Sequence, residues 1–365
     1  MSIKNTSQKI DLILRDLQEY FKEDVEKLTK IVDKRPLKIY WGTAPTGRIH
    51  LGYLVPLLKI KDFLDAGCEV IVLLADLHAF LDNNKSELSQ IEARSNYYEL
   101  MIKSLLIELG TNIKNIMFVK GTSFQLNSDY NLDVYRMNSM LSVNNAKHAG
   151  ADVVKLSDNP IMNGLIYPSL QALDEVYLNV DAQFGGVDQR KIFVHARTYI
   201  PKLKTNPLNK ELRYSKRIHL MNKMVPGFST TKKEGLNIDT KMSASNNNTK
   251  IDILDSNKKI KKTINSAYCA LGDIEDNSVL NTLSELVFKI LENRKSNFII
   301  KRKEEYGGNI EYSEYKQIER DFIEEKTHPQ DIKNGLSDFL IEFFDPIKKV
   351  FETKENQKIL KDCQY

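Results

Sequence analysis

Three short stretches of this sequence carry side chains whose types and spacing can do chemistry. The first is Gly42-Thr43-Ala44-Pro45-Thr46-Gly47-Arg48-Ile49-His50-Leu51-Gly52-Tyr53, which leads from a β-branched, aromatic segment into an apolar helical one. A helix start offers unpaired N–H groups and a partial positive charge, which suit a polyphosphate. Gly42 and Gly47 are expected to let the backbone turn tightly against such a ligand. His50 is expected to donate to a phosphate oxygen, and Gly52 to leave room for an adenine ring. A Pro-Thr-Gly turn alone reads as an ordinary strand-to-helix junction; His50-x-Gly52 at its mouth gives it weight. The second stretch is Lys241-Met242-Ser243-Ala244-Ser245. A lysine on a loop can close over the β- and γ-phosphates as charge moves onto departing pyrophosphate, a contact that strengthens in the transition state. The third is Tyr167-Pro168-Ser169-Leu170-Gln171-Ala172-Leu173-Asp174, where spacing i, i+4, i+7 puts Tyr167, Gln171 and Asp174 on one helix face. Taken singly, Asp174 reads as a surface carboxylate or a helix ion pair.

The elements that must position these residues follow from periodicity. Residues 8–33 carry apolar side chains at helical spacing and predict one amphipathic helix. A strand over 37–41, a helix over 51–66 ended by Gly67, and a buried strand over 69–75 make a βαβ unit, the start of a doubly wound parallel sheet. Helices are expected over 86–109, 133–147, 165–178 and 187–199, with strands near 115–119 and 218–221. Gly185-Gly186-Val187-Asp188-Gln189-Arg190-Lys191 marks another strand-to-helix junction. From 227 to 248 the composition turns to Gly, Ser, Thr, Asn and Lys, a mobile loop or linker. Beyond 251 the pattern is almost purely helical. The fold class is therefore α/β, a doubly wound parallel sheet followed by an α-helical domain.

Composition narrows the function classes without choosing one. The 365 residues suffice for two domains with buried cores, and 41% hydrophobic with 28% charged residues is ordinary for a globular chain. No apolar run approaches the ~20 residues of a membrane span, and residues 1–11 lack the apolar stretch of a signal peptide, so no membrane association and a cytoplasmic location are expected. Cys68, Cys269 and Cys363 lie far apart, so neither a disulfide framework nor a structural metal site is suggested. A net charge of +4 does not by itself argue for nucleic acid.

With the motifs set side by side, the chain resembles the tyrosyl-tRNA synthetases of archaeal and eukaryotic type. His50-Leu51-Gly52-Tyr53 stands where class I synthetases carry their HIGH signature, with Tyr53 in place of the final histidine. Lys241-Met242-Ser243-Ala244-Ser245 looks like the KMSKS loop, with Ala244 in place of the second lysine. Tyr40-Trp41-Gly42, Ala75-Asp76-Leu77-His78 and the stretches around Asp174 and Asp188 resemble the tyrosine branch in particular, over about 35 to about 350. The resemblance implies a Rossmann-like catalytic domain over 1–226, with a connective and dimer-forming insertion at about 120–165. It also implies a mobile signature loop over 227–250 and a helical anticodon-binding domain over 251–365. It implies ATP, with its magnesium ion, at Gly42, Thr43, Ala44, Pro45, His50, Gly52, Gly186, Asp188, Lys241, Met242 and Ser243. His50 and Lys241 are then the catalytic pair. L-tyrosine falls to Tyr40 and Asp174 at its hydroxyl, and to Tyr167, Gln171 and Gln189 at its amino and carboxylate ends; His78 reads as a structural hydrogen-bonding group.

Two C-terminal features resemble the family's anticodon contacts. Tyr306 follows the basic residues Lys301, Arg302 and Lys303, and Asp331 opens the last long helix. A splayed-out base needs a ring to stack on and a polar group to read its edge. The implied partners are tRNA(Tyr) and a second copy of the chain. The sequence ends soon after the last long helix, so the appended tRNA-binding domain of some eukaryotic relatives is not expected. Three other readings stay open at this point. A tryptophanyl-tRNA synthetase shares the scaffold, though Tyr40 with Asp174 argues against it. A small-molecule nucleotidyltransferase would have no need of the helical tail. A synthetase-like RNA-binding or signalling protein would not need Lys241, Asp174 and Gln189 together.

Overall fold

The computed structural model describes residues 5–82, 85–154, 160–203, 214–229, 231–232, 242 and 249–365. Six strands form the central sheet: β1 (Leu17–Tyr20), β2 (Lys38–Thr43), β3 (Glu69–Leu74), β4 (Ile116–Lys120), β5 (Ala182–Gly186) and β6 (Ile218–Asn222), in the order β1-β6-β5-β2-β3-β4. Neighbours from β6 to β4 run parallel, and β1 alone is antiparallel. The chain builds outward from β2 to β4, then returns to lay β5 on the other side of β2. The switch point where ligands settle in such sheets therefore lies between the C-terminal ends of β2 and β5. The interior of β3 (Val70, Val72, Leu73 and Leu74) is buried, as a strand covered on both faces requires.

The N-terminal half carries the helices α1 (Thr6–Leu14), α2 (Val25–Lys34), α3 (Leu54–Asp65), α4 (Asp76–Leu81), α5 (Ile91–Glu108), α6 (Thr122–Gln125), α7 (Ser128–Asn138), α8 (Val143–Gly150), α9 (Met162–Tyr177) and α10 (Arg190–Tyr199). Two expectations fail here. The single helix over 8–33 is broken: Asp16 adopts a left-handed φ of 58°, and Leu17–Tyr20 leaves to pair with β6. Edge pairing overrides helical spacing there because β6 offers backbone partners. The helix over 133–147 is two helices, because Ser142 caps α8, its hydroxyl accepting from Asn145 N at 3.2 Å.

The C-terminal part holds α11 (Asn257–Ser266), α12 (Ser278–Thr282), α13 (Phe288–Arg294), α14 (Tyr315–Ile323), α15 (Pro329–Val350) and α16 (Lys354–Asp362). It is not purely helical: β7 (Phe298–Ile300) and β8 (Ile310–Tyr312) form a hairpin, with strands of three residues too short to leave a periodic signal. The largest apolar core runs unbroken from the sheet (Ile39, Val72, Phe184) through α3 and α5 into the C-terminal helices (Leu283, Leu336, Phe344). No described helix is long and apolar enough to cross a membrane.

Candidate active site

At the C-terminal end of β2, beside α9, five of the residues singled out from the sequence gather. Tyr40 projects from β2 and is fully buried, its hydroxyl donating to the Gln171 carbonyl at 3.3 Å. Tyr167, Gln171 and Asp174 come from α9, and the Gln171 amide donates to Gln189 Oε1 at 2.9 Å. That bond ties α9 to the turn after β5 and so closes the switch point. Asp174 is 1% exposed. Its Oδ1 accepts from Gln125 Nε2 and from the Tyr130 hydroxyl, both at 2.8 Å. Burial pushes its carboxyl up from 3.8 to about 8, although these two donors pull the other way.

His78 lies beside this carboxylate, edge-on to the Tyr167 ring with centroids 4.6 Å apart. Burial lowers its imidazole to about 3, so it is neutral. Gln125 Nε2 also donates to His78 Nδ1 at 3.3 Å, which places the ring hydrogen on Nε2. Among the described residues that nitrogen has no hydrogen-bond partner, and it stands 3.9 Å from Asp174 Oδ2. Gln125 Oε1 is likewise unpartnered. Buried polar atoms without partners mark a place where a polar ligand group can be taken. Gln125 and Tyr130 were missed by sequence reasoning. They lie on α6 and α7, and no spacing rule connects them to a carboxylate more than forty residues on.

The strand-to-helix turn is built differently from the expectation. Gly42 lies inside β2 with ordinary space around it, and neither Gly42 nor Gly47 has a positive φ, so no left-handed glycine makes this turn. At Gly52 an added Cβ would stand 3.0 Å from the His50 imidazole Cε1, so the ring packs directly against a residue without a side chain. His50 caps the short helical turn Leu51–Tyr53, its Nδ1 accepting from Gly52 N at 3.2 Å. The hydrogen of the neutral ring is thereby placed on Nε2, the form able to donate to a phosphate. Tyr53, the departure from the signature, is held by hydroxyl contacts to Thr43 at 3.3 Å and Tyr98 at 3.2 Å. It supports the turn.

The second signature meets the first in space. Met242 is buried, its N–H donating to Val225 O at 2.9 Å, with its Cβ 3.6 Å from the ideal Cβ position at Gly52. Just beyond it, residue 251 accepts from Leu51 N and Ile253 N donates to Ile49 O, and His50 and Asp252 form an antiparallel bridge. Lys241 and Ser243 lie outside the described residues. Across the switch point, Gly186 ends β5 and Asp188 folds back so far that a Cβ on Gly186 would stand 2.4 Å from its Oδ1. Ala44 and Pro45 complete the turn between β2 and His50. Among the described residues no three His, Cys, Asp or Glu side chains converge to hold a metal ion.

Tyr306 and Asp331 belong to the C-terminal part, where Arg302 spans from the loop after Tyr306 to Asp331. Tyr306 is 67% exposed on the β7–β8 connection, before Gly307 and Gly308 at left-handed φ of 91° and 71°. Arg302 Nε donates to Gly308 O at 3.0 Å, and its Nη1 stands 3.8 Å from Asp331 Oδ2 in the first turn of α15. An exposed ring, a guanidinium and a carboxylate on one hairpin and helix start can stack on a base and read its edge.

The chain matches known proteins over nearly its whole length. The family model for tRNA synthetases class I (W and Y) matches residues 32–345. The cytoplasmic tyrosine–tRNA ligase of Gallus gallus is 47% identical over 352 residues, 96% of this chain and 62% of that protein. The cytoplasmic enzyme of Saccharomyces cerevisiae is 47% identical over 352 residues, 95% of this chain and 85% of the relative. Among solved structures, a tyrosyl-tRNA synthetase of Archaeoglobus fulgidus complexed with L-tyrosine superposes with a TM-score of 0.79. It is 30% identical, over 94% of this chain and 99% of that one.

Proposed function

Because the chain belongs to the tyrosyl-tRNA synthetases of class I, we propose that it activates L-tyrosine with ATP and transfers it to the 3′ end of tRNA(Tyr). The observation that carries the reading is the buried Asp174 carboxyl, facing the unpartnered His78 Nε2 across 3.9 Å beside Tyr40. An apolar or indole side chain would leave these groups unpaired, whereas a phenol hydroxyl can donate to one and accept from the other. Gln171, Gln189 and Tyr167 then take the amino and carboxylate ends. Gly186 and Asp188 take the ribose of ATP, and residues 42–45, His50, Gly52 and the signature loop take the rest of the nucleotide.

In the first half-reaction a tyrosine carboxylate oxygen attacks the α-phosphorus and the bond to pyrophosphate breaks. His50 Nε2 and Lys241 steady the charge that builds on the leaving group, with magnesium entering on the phosphates. In the second, a terminal ribose hydroxyl of tRNA attacks the tyrosyl carbonyl and AMP leaves. No protein nucleophile is used; the site contributes positioning and charge stabilisation. Tyr306 and Asp331 receive the first anticodon base. The exposed apolar side chains Leu126, Leu132, Tyr135, Val143, Ile161 and Met162, all within or beside the insertion, support a homodimer built there. The relatives' names support a cytoplasmic location. The test is amino-acid-dependent exchange of pyrophosphate into ATP across a panel of amino acids. Tyrosine alone should support it; equal exchange with tryptophan or phenylalanine would overturn the assignment.

A further inference from the structure

The turn at residues 43–49 is held from behind by a layer of hydroxyls. The Tyr98 hydroxyl donates to Gly47 O at 2.7 Å, Ile49 N donates to the Tyr97 hydroxyl at 3.2 Å, and Ser86 Oγ donates to Pro45 O at 3.0 Å. The fourth member comes from the far end of the sequence. Tyr365, beyond α16, donates its hydroxyl to the same Pro45 carbonyl at 3.1 Å. Its ring meets Tyr97 edge-on, with centroids 5.5 Å apart, and lies under the Arg94 guanidinium at 4.6 Å. Arg94 is buried on α5 and ties this assembly together. Its Nη1 donates to Ser86 Oγ at 2.5 Å and to Lys85 O at 3.0 Å, and its Nε donates to Cys363 O at 3.2 Å. The segment is fastened twice more, by Cys363 Sγ to Ala93 O and by Gln90 to Gln364.

We propose that Tyr365 and Arg94 are positioning residues for the nucleotide: the segment after α16 clamps the Pro45 turn from behind and sets its conformation for ATP. A turn without left-handed glycine, whose Pro45 and Gly47 carbonyls are taken by side-chain hydroxyls from outside it, depends on those external donors to stay in one conformation. Here one of the two donors on Pro45 O comes from the C-terminal helical part. ATP affinity thus depends on a residue that does not approach the nucleotide, even without tRNA. The inference rests on the reading that this turn takes ATP.

Pyrophosphate exchange of the full chain, without tRNA, tests it by comparing Tyr365→Phe, Tyr365→Ala and, as a reference, His50→Ala. Tyr365→Phe keeps the ring between Arg94 and Tyr97 and removes only the hydroxyl. It should raise KM for ATP about two- to twelvefold, the worth of one net hydrogen bond, with KM for tyrosine and kcat within twofold of the parent. Tyr365→Ala should raise KM for ATP further in the same pattern. Unchanged KM for ATP in both variants, with His50→Ala still impaired, would overturn the clamp and leave the ATP turn standing. No effect of His50→Ala would remove the ATP turn and the clamp together. A parallel rise in both KM values with a fall in Tm would reduce Tyr365 to packing and also overturn the proposal.

Discussion

Replacing Asp174 with Asn changes one atom in a fully buried site and separates two roles of that carboxyl. The amide oxygen of Asp174→Asn can still accept from Gln125 Nε2 and the Tyr130 hydroxyl, which both address Oδ1 at 2.8 Å. What is lost is Oδ2, the acceptor facing His78 and the proposed phenol. Leaving a buried polar partner unsatisfied costs about 1–3 kcal/mol, so kcat/KM for tyrosine in pyrophosphate exchange should fall roughly five- to 150-fold. Phenylalanine offers nothing to Oδ2, so its slow activation should hold or rise, and discrimination should shrink by about the same factor. Both amino acids are to be measured at saturating ATP and one pH. Tyrosine efficiency within twofold of the parent would place the phenol elsewhere. An equal loss for phenylalanine would make Asp174 a scaffold residue.

The same carboxyl predicts a pH effect. Its folded value lies above its ordinary one, near 8 against 3.8, so its contribution to stability is fully present below about pH 4 and is lost as pH rises through 8. The Tm of Asp174→Asn relative to the parent should therefore climb between pH 5 and pH 9; a constant difference would refute the burial argument. Tyr306→Ala and Asp331→Ala should leave pyrophosphate exchange intact and lower aminoacylation, by about five- to 150-fold for the lost stacking ring. Parallel loss in both assays would refute the division of labour. Leu126→Glu combined with Tyr135→Glu, two exposed positions in the proposed interface, should convert a dimer to a monomer in analytical ultracentrifugation. An unchanged sedimentation coefficient would move the interface elsewhere.

What was legible in the sequence is what local spacing encodes. Tyr167, Gln171 and Asp174 share a face because a helix repeats every 3.6 residues, and α9 places them together. The βαβ start was legible because β3 is apolar from Val70 to Leu74 and Gly67, at φ 84°, ends α3. What depends on distant partners was not. Leu17 and Tyr20 keep helical spacing with their neighbours, yet their backbone is claimed by Asn222 and Leu220. Gln125 and Tyr130 are ordinary polar and aromatic residues until Asp174 arrives between them. Tyr53 stands where the signature carries its final histidine; only the packed turn reveals that its hydroxyl bridges Thr43 and Tyr98.

The unbroken apolar core that joins the sheet to the C-terminal helices restricts how the two ends of the molecule can communicate. A hinge needs a thin neck of few contacts, and here α5 and α15 are continuous packed interior. Close-packed side chains do not deform smoothly; packed helices slide past one another in small steps. Any movement passed between the hairpin around Tyr306 and the Pro45 turn would therefore travel as shear along α15 and α5, with displacements of an ångström or so, rather than as a swing of one body against the other.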